Sequence, residues 1–360
     1  MFPDQIILLC RPGFEKECAG EIMEHAALHQ FPAYIQTSEQ SAFVRLVGSS
    51  PEADEKLNTA RLITDIDFQQ LIFARQWFAC SRDLIELPDS NRLPDILDAI
   101  ENLNETFSEV ELDYADTNEG KSLNKFCRQF KPHLVNALKK KQLLSAHARW
   151  RLHLFFTDSL HVYIGFAAID NSSADAMGII RLKMPGSAPS RSTLKMEEAI
   201  HWFLNREQQS TMITNGMTVV DLGAAPGGWT WQFVQRDCLV TAIDNGPMQP
   251  ALMQTGMVEH LQTDAFTYTP KKKVDWLICD MAERPLHVSR LIARWFSEGH
   301  CSNAIFNLKL PMKKRLVAVQ ECLALIEEKL TAANIDHRIQ AKQLYHDREE
   351  ITVCITTTQN

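Results

Sequence analysis

The stretch that most constrains this chain is T-V-V-D-L-G-A-A-P-G-G, residues 218–228, with the helix that follows it. Thr218, Val219 and Val220 form a β-branched run that reads as a buried strand, and Asp221 closes it. Gly223, Ala225, Pro226, Gly227 and Gly228 then make a tight turn, and Trp229 to Val234 start a helix. An open α/β sheet builds a ligand cleft from such a unit, at the carboxyl ends of its strands. Glycine lets the backbone approach a ligand because no Cβ intervenes. A lone glycine turn would be an ordinary strand-to-helix connection. Here an acid, three glycines and a proline come together, and further acids close the next strands, so the turn reads as a cofactor site.

The ligand is not a dinucleotide, because the G-x-G-x-x-G spacing that seats a pyrophosphate is missing. Nor is there a G-x-x-x-x-G-K-[ST] phosphate loop. Downstream, strands are expected at 239–243, 274–279, 304–310, 337–343 and 351–357, with helices at 190–204, 286–296 and 316–333. That alternation, with a final hairpin, describes a doubly wound sheet with one antiparallel strand. Asp244, Asp264 and Asp280 stand at or just past successive strand ends. A carboxylate accepts two hydrogen bonds from a diol, so Asp244 is the candidate for ribose hydroxyls, and Asp264 for an adenine amino group.

D-L-G-A-A-P-G-G is similar to the first motif of S-adenosylmethionine-dependent methyltransferases, and specifically resembles the FtsJ-like family that methylates ribose 2′-hydroxyls of RNA. The resemblance implies a Rossmann-like fold, S-adenosylmethionine as cofactor held by Ser192, Asp221, the turn, Asp244, Asp264 and Asp280, and a Lys-Asp-Lys-Glu set. Each member has a match: Lys195 in S-R-S-T-L-K, Asp280 in D-M-A, Lys309 in F-N-L-K and Glu349 after Arg348. Where the family continues D-M-A-P, this chain inserts Glu283 and Arg284 before Pro285. Lys309 is the expected base. Its free pKa of about 10.4 would leave it charged, so a neighbouring lysine and partial burial are expected to lower it. Lys195 and Asp280 would tune and orient it, and Glu349 would hold the amines, preferred by motif alignment alone over Glu350, which faces the other side of the strand.

The first half is different. Residues 1–180 hold 17 Lys/Arg against 26 Asp/Glu, and residues 181–360 hold 20 against 19, within a net charge of −8. This excludes an all-over nucleic-acid binder. Yet residues 120–157 carry nine Lys/Arg and no acid. Lys121, Lys125 and Arg128 stand at helical spacing, an expected RNA contact, and Lys313, Lys314 and Arg315 read as phosphate contacts. Expected elements are strands at 6–10, 34–36, 42–47, 68–80 and 109–115, helices at 14–27, 51–61 and 93–103, and a basic helical segment over 120–141 broken at Pro132. A hairpin at 151–166 closes this α+β region. It resembles a ferredoxin-like subdomain (1–60) followed by a THUMP RNA-binding domain (61–170), with a linker at 171–189 and the methyltransferase domain at 190–360.

Nine scattered cysteines without a C-x-x-C pair argue for reduced thiols and against a zinc site, so no metal is expected. His25 and His29 lack the glutamate and third ligand of a metalloprotease helix. The apolar run 6–10 reads as a strand, not a signal peptide, and no window approaches a membrane span. A cytoplasmic monomer is the expectation. Taken whole, L-L-C-R-P-G-F-E-K-E-C, L-I-F-A-R-Q-W-F, A-D-T-N-E, F-N-L-K-L-P-M-K-K-R and Q-L-Y-H-D-R-E-E resemble a bacterial family of large-subunit rRNA methyltransferases. That resemblance implies 2′-O-methylation of a cytidine in 23S rRNA, free or within an assembly intermediate. Two rivals stay open: a methyltransferase acting on another RNA atom, and an RNA-binding assembly factor with vestigial activity.

Overall fold

A computed structural model of the chain describes residues 3–49 and 59–357 and divides into two units, 1–180 and 181–360. Unit 1 runs β1 (Gln5–Leu9), α1 (Glu15–Leu28), β2 (Ala33–Gln36), β3 (Phe43–Gly48), α2 (Thr59–Asp65), β4 (Gln76–Cys80), β5 (Ile85–Glu86), α3 (Leu93–Glu101), β6 (Phe107–Tyr114), α4 (Asn118–Ser122), α5 (Asn124–Lys140), β7 (Trp150–Phe156) and β8 (His161–Ala168). Its strands form one sheet in the order β2-β3-β1-β4-β8-β7-β6, with β5 beside β8. β1 and β4 are buried along their whole length, as expected of central strands covered on both faces.

Several expectations change here. The strand region at 68–80 narrows to Gln76–Cys80, because Asp67 caps a short 3-10 turn at 68–70 by accepting from the Gln69 amide. Most of the helix expected at 51–61 lies outside the described residues, which resume in α2. The basic segment does not break at Pro132: α5 runs through it, and the interruption falls at Leu123, between α4 and α5. Together α4 and α5 form the crossover between the parallel pair β6 and β7, with Cys127, Leu134 and Leu138 turned inward. Residues 171–180, the first part of the expected linker, are bound into unit 1. The Gln76 amide donates to the Ser173 carbonyl (2.9 Å), and the Met177 amide donates to the buried Asp113 (2.9 Å).

Unit 2 runs α6 (Thr193–Phe203), α7 (Arg206–Met212), β9 (Thr218–Leu222), α8 (Gly228–Val234), β10 (Leu239–Ile243), α9 (Pro250–Met253), β11 (Val258–Leu261), β12 (Val274–Cys279), α10 (Pro285–Ser297), β13 (Cys301–Lys309), α11 (Arg315–Ala332), β14 (His337–Lys342) and β15 (Glu350–Thr357). The sheet order is β11-β10-β9-β12-β13-β15-β14, parallel throughout except for β15, which is antiparallel to both neighbours. The strand order reverses at β9, and in open α/β sheets ligands bind outside the carboxyl ends of the strands at that point. The core joins Met196, Ile200 and Phe203 of α6 to Phe233 of α8 and Trp276 of β12. Among the described residues, no helix is long and apolar enough to cross a membrane.

Candidate active site

The glycine turn follows β9 where the reading places it. Gly227 has φ +111°, a backbone that L side chains rarely adopt, and an added Cβ there would come within 2.5 Å of Leu252. A Cβ on Gly228 would run into Ser192 Oγ, so the turn packs directly on the 190–192 segment that opens α6. Ser192 Oγ lies 2.7 Å from Ser190 Oγ. Gly223 has φ +78° beside Met281, and the Ala225–Pro226 peptide is cis.

Three of the strand-end acids meet around this turn. Asp221 is buried and accepts from Thr230 Oγ1 of α8 at 2.6 Å. Burial pushes its carboxyl up to about 7, opposed by the Thr230 hydrogen bond and assisted by the Asp280 and Asp244 carboxylates. Asp244 accepts the Ala225 amide on Oδ2 (3.0 Å) and the Gly246 amide on Oδ1 (2.7 Å), which leaves a lone pair free on each oxygen. Asp264 is exposed and accepts the Phe266 amide at 3.0 Å within its own turn. A backbone cradle without Cβ atoms and two carboxylates pressing on a buried third suit a ligand with a diol and a positive charge. S-adenosylmethionine, the cofactor of the family, has both.

Beside the turn, charged side chains from four elements form a closed ring. Lys309, the last residue of β13, donates to Asp280 Oδ1 at 2.7 Å and also to Glu350. Lys195 of α6 reaches Asp280 Oδ2 at 3.5 Å and pairs with Glu350 as well. Asp280 follows β12 directly, and Asn307 Nδ2 donates to its Oδ1 at 3.1 Å.

Two expectations are corrected by this geometry. The glutamate of the ring is Glu350, not Glu349. In the β13–β15 register Lys309 lies opposite Glu350 and Asn307 opposite Thr352, so all four share one face of the sheet. Glu349 is exposed and pairs with Arg315 at 2.5 Å instead. The amine of Lys309 is also not lowered. Burial pushes it down, but the Asp280 and Glu350 carboxylates outweigh that and hold it above its ordinary value. Burial pushes Glu350 up, and Lys195 and Lys309 outweigh it in turn.

Cys279, next to Asp280, is buried, and burial pushes its thiol up to about 12, so it offers no thiolate nucleophile. Trp229 is buried in the core beneath the turn. Of the basic residues singled out, Lys121 is paired with Asp116 at 3.1 Å, and Arg315 with Glu349. Lys125, Arg128, Lys313 and Lys314 are exposed. The sequence reading placed Glu350 behind Glu349 by motif alignment alone, and it missed Asn307 and Thr352. The available signal was the alternation of side chains along paired strands, N-x-K against E-x-T.

A strand–glycine turn–helix cleft beside a Lys-Asp-Lys-Glu ring defines an S-adenosylmethionine-dependent methyltransferase of the FtsJ-like class, and a family model described as FtsJ-like methyltransferase matches residues 188–333. Two more match the first unit: the RlmM ferredoxin-like domain over residues 3–78, and the N-terminal part of ribosomal RNA large subunit methyltransferase M over 91–168. The chain is 47% identical to ribosomal RNA large subunit methyltransferase M of Cellvibrio japonicus, covering 97% of this chain and 98% of that one. It is 45% identical to its counterpart in Proteus mirabilis, covering 98% and 96%. The chain belongs to the ribosomal RNA large subunit methyltransferase M family.

Proposed function

We propose that this protein methylates the ribose 2′-hydroxyl of a cytidine in 23S ribosomal RNA, with Lys309 receiving the hydroxyl proton. The observation that carries this reading is the ring of Lys195, Asp280, Lys309 and Glu350 beside the glycine turn. The RNA follows the activity for which the relatives are named, and the cytidine follows the family resemblance. A ribose hydroxyl is a poor nucleophile until its proton is aligned or removed by a group within hydrogen-bond reach. S-adenosylmethionine supplies, when bound, an electrophilic methyl group on a sulfonium.

The chain's own residues do the rest. Two ammonium groups and two carboxylates balance in the ring, so it carries no net charge toward an incoming hydroxyl. Lys309 must give up a proton to solvent before it can take one. A cationic neighbour on the Asp221–Asp244 side and exclusion of water by bound RNA both favour its neutral form. Asp280 and Glu350 then stabilise the ammonium that forms when Lys309 takes the hydroxyl proton. Lys195, on the opposite side of both carboxylates, keeps them aligned.

Unit 1 supplies the RNA grip in this reading, with residues 61–170 acting as a THUMP-type region. Lys125, Arg128 and Lys139 fall on one exposed stripe of α5. Lys131 and Lys141, by contrast, are paired with Glu111 and Glu101. Lys313 and Lys314 contribute from unit 2. The protein acts in the cytoplasm as a monomer, on rRNA or an assembling particle.

The test is methyl transfer from labelled S-adenosylmethionine to large-subunit rRNA lacking its modifications, with the product digested to nucleosides. Labelled 2′-O-methylcytidine is expected. Label on a base atom would move the activity elsewhere, and no label on naked RNA or precursors, with cofactor bound, would point to an assembly factor.

A further inference from the structure

Behind the ring lies a run of buried polar side chains whose hydrogen bonds can point only one way. Asn307, Thr352 and Asp347 are all fully buried. The amide of Asn307 directs Nδ2 at Asp280 Oδ1 (3.1 Å), since its oxygen there would face a carboxylate. Its Oδ1 must therefore be the acceptor for Thr352 Oγ1, 2.8 Å away. A hydroxyl has one proton, and Thr352 spends it on Asn307. Yet Thr352 Oγ1 also lies 3.2 Å from Asp347 Oδ1 and 3.0 Å from Asp347 Oδ2. Asp347 Oδ2 already accepts the Leu344 amide at 3.0 Å. Two buried oxygens at that distance need a hydrogen between them, and only Asp347 is left to provide it.

We propose that Asp347 is a neutral carboxylic acid whose O–H begins a directed chain, Asp347 to Thr352 to Asn307 to Asp280, and that these three residues position the Asp280 carboxylate for methyl transfer. The groups around Asp347 agree. Glu350 of β15 and Glu198 of α6 face it with negative charge, and Lys195 of α6 is the opposing cation. Glu198 is itself taken up by the Tyr345 and His346 amides (2.7 and 2.9 Å) and by His346 Nδ1 (2.6 Å). Burial and those two carboxylates push Asp347 well above the ordinary range, against the Leu344 amide and Lys195. Among the described residues no ammonium or guanidinium forms an ion pair with it. Without its proton the Thr352 hydroxyl would turn toward Asp347, Asn307 would lose its donor, and its amide could flip its oxygen against Asp280.

This inference rests on Asp280 belonging to the reacting ring, and its test separates the two. In the full-length protein, T352V and D347A should lower kcat about ten- to a hundredfold, the usual cost of a slightly misplaced reacting group. Their dissociation constants for S-adenosylmethionine should stay within about twofold of wild type. T352S and D347N, each of which keeps a donor at its place, should restore most of the lost rate. The infrared difference spectrum of wild type minus D347N at neutral pH should show a carboxylic-acid carbonyl band, over and above any from Asp221, whose carboxyl burial pushes up to about 7. If D347N were as damaged as D347A, or the difference band were absent, Asp347 would be a carboxylate and the chain would run otherwise. Melting curves of all four variants show whether a lost rate is a lost fold. The infrared band does not depend on which RNA atom is methylated, so a base-methylated product would overturn the reaction assigned above and leave this proposal standing.

Discussion

Both units bury charged side chains, but they use them for different ends. In unit 1, Asp113 and His153 lie 2.7 Å apart and are both wholly buried, with His153 stacked on Phe78 at 5.0 Å. Asp113 also accepts the Met177 amide, and the buried Arg151 donates to Ser172 Oγ (3.0 Å) and Glu109 (2.8 Å). These bonds draw residues 172–177 onto the sheet around a pair, Asp113 and His153, that is closed to solvent. In unit 2, Lys195, Asp280 and Lys309 keep 16, 17 and 29% of their side-chain surface open. Buried charge alone therefore does not mark a reaction centre. The candidate site differs in lying at the carboxyl ends of β12 and β13, on the side of the sheet where open α/β folds bind ligands, with its charges partly open to solvent.

That contrast is broken or sharpened by substitution. The largest effect is expected from Lys309→Met, which should cut methyl transfer by about 10²- to 10⁴-fold, the range for a positioned base, with S-adenosylmethionine still bound. A variant that turned over at near wild-type rate would remove Lys309 from the chemistry. Asp113→Ala should do the opposite. Leaving His153 and the Met177 amide without their partner should cost about 3–5 kcal/mol of stability, read by denaturant unfolding, while cofactor affinity stays unchanged. Weakened cofactor binding in that variant would mean that the two clusters are not independent.

Glu350→Gln should slow turnover about tenfold or more, whereas Glu349→Gln should stay within about twofold. Equal effects would undo the assignment of strand faces. The pH profile gives the smallest and sharpest reading. Because Asp280 and Glu350 hold the Lys309 amine above its ordinary value, its neutral fraction grows only as pH rises. The rate at subsaturating RNA should therefore climb with pH through the neutral and mildly alkaline range without a plateau. Glu350→Gln removes one of the carboxylates that raise the amine, so the climb should shift to lower pH. A flat profile in both proteins would argue that no amine titrates in the rate-limiting step.

Much of the catalytic unit is written in local sequence. Thr218 to Gly228 specifies a strand, a turn and a helix start, because β-branched residues favour extended backbone and Gly227 alone tolerates its φ of +111°. Asp221, Asp244 and Asp280 are found from where predicted strands stop, and Lys195 and Lys309 from short motifs. Glu349 and Glu350 are indistinguishable on that basis. They are adjacent, both follow Arg348, and only the pairing of Lys309 with Glu350 across β13 and β15 decides between them. Unit 1 was less legible for a related reason. Its sheet is assembled mainly from antiparallel partners far apart in sequence, such as β4 with both β1 and β8, and local pattern does not specify such partners.

Composition misled where charge was concerned. A 38-residue window without an acid, 120–157, reads as an open basic surface, yet Lys121, Lys131, Lys141 and Arg151 meet Asp116, Glu111, Glu101 and Glu109 from outside it. The same limit applied to Lys309, whose amine was expected to fall beside a second lysine and is instead held up by two carboxylates. By itself, the sequence determined most elements of the second unit, the glycine turn and the residue types of the candidate site, because those depend on backbone propensity and short spacing. Only the tertiary structure decided which charges touch. Coulomb energy and desolvation act through distance and burial, and both are set by strand register and packing between residues remote in the chain.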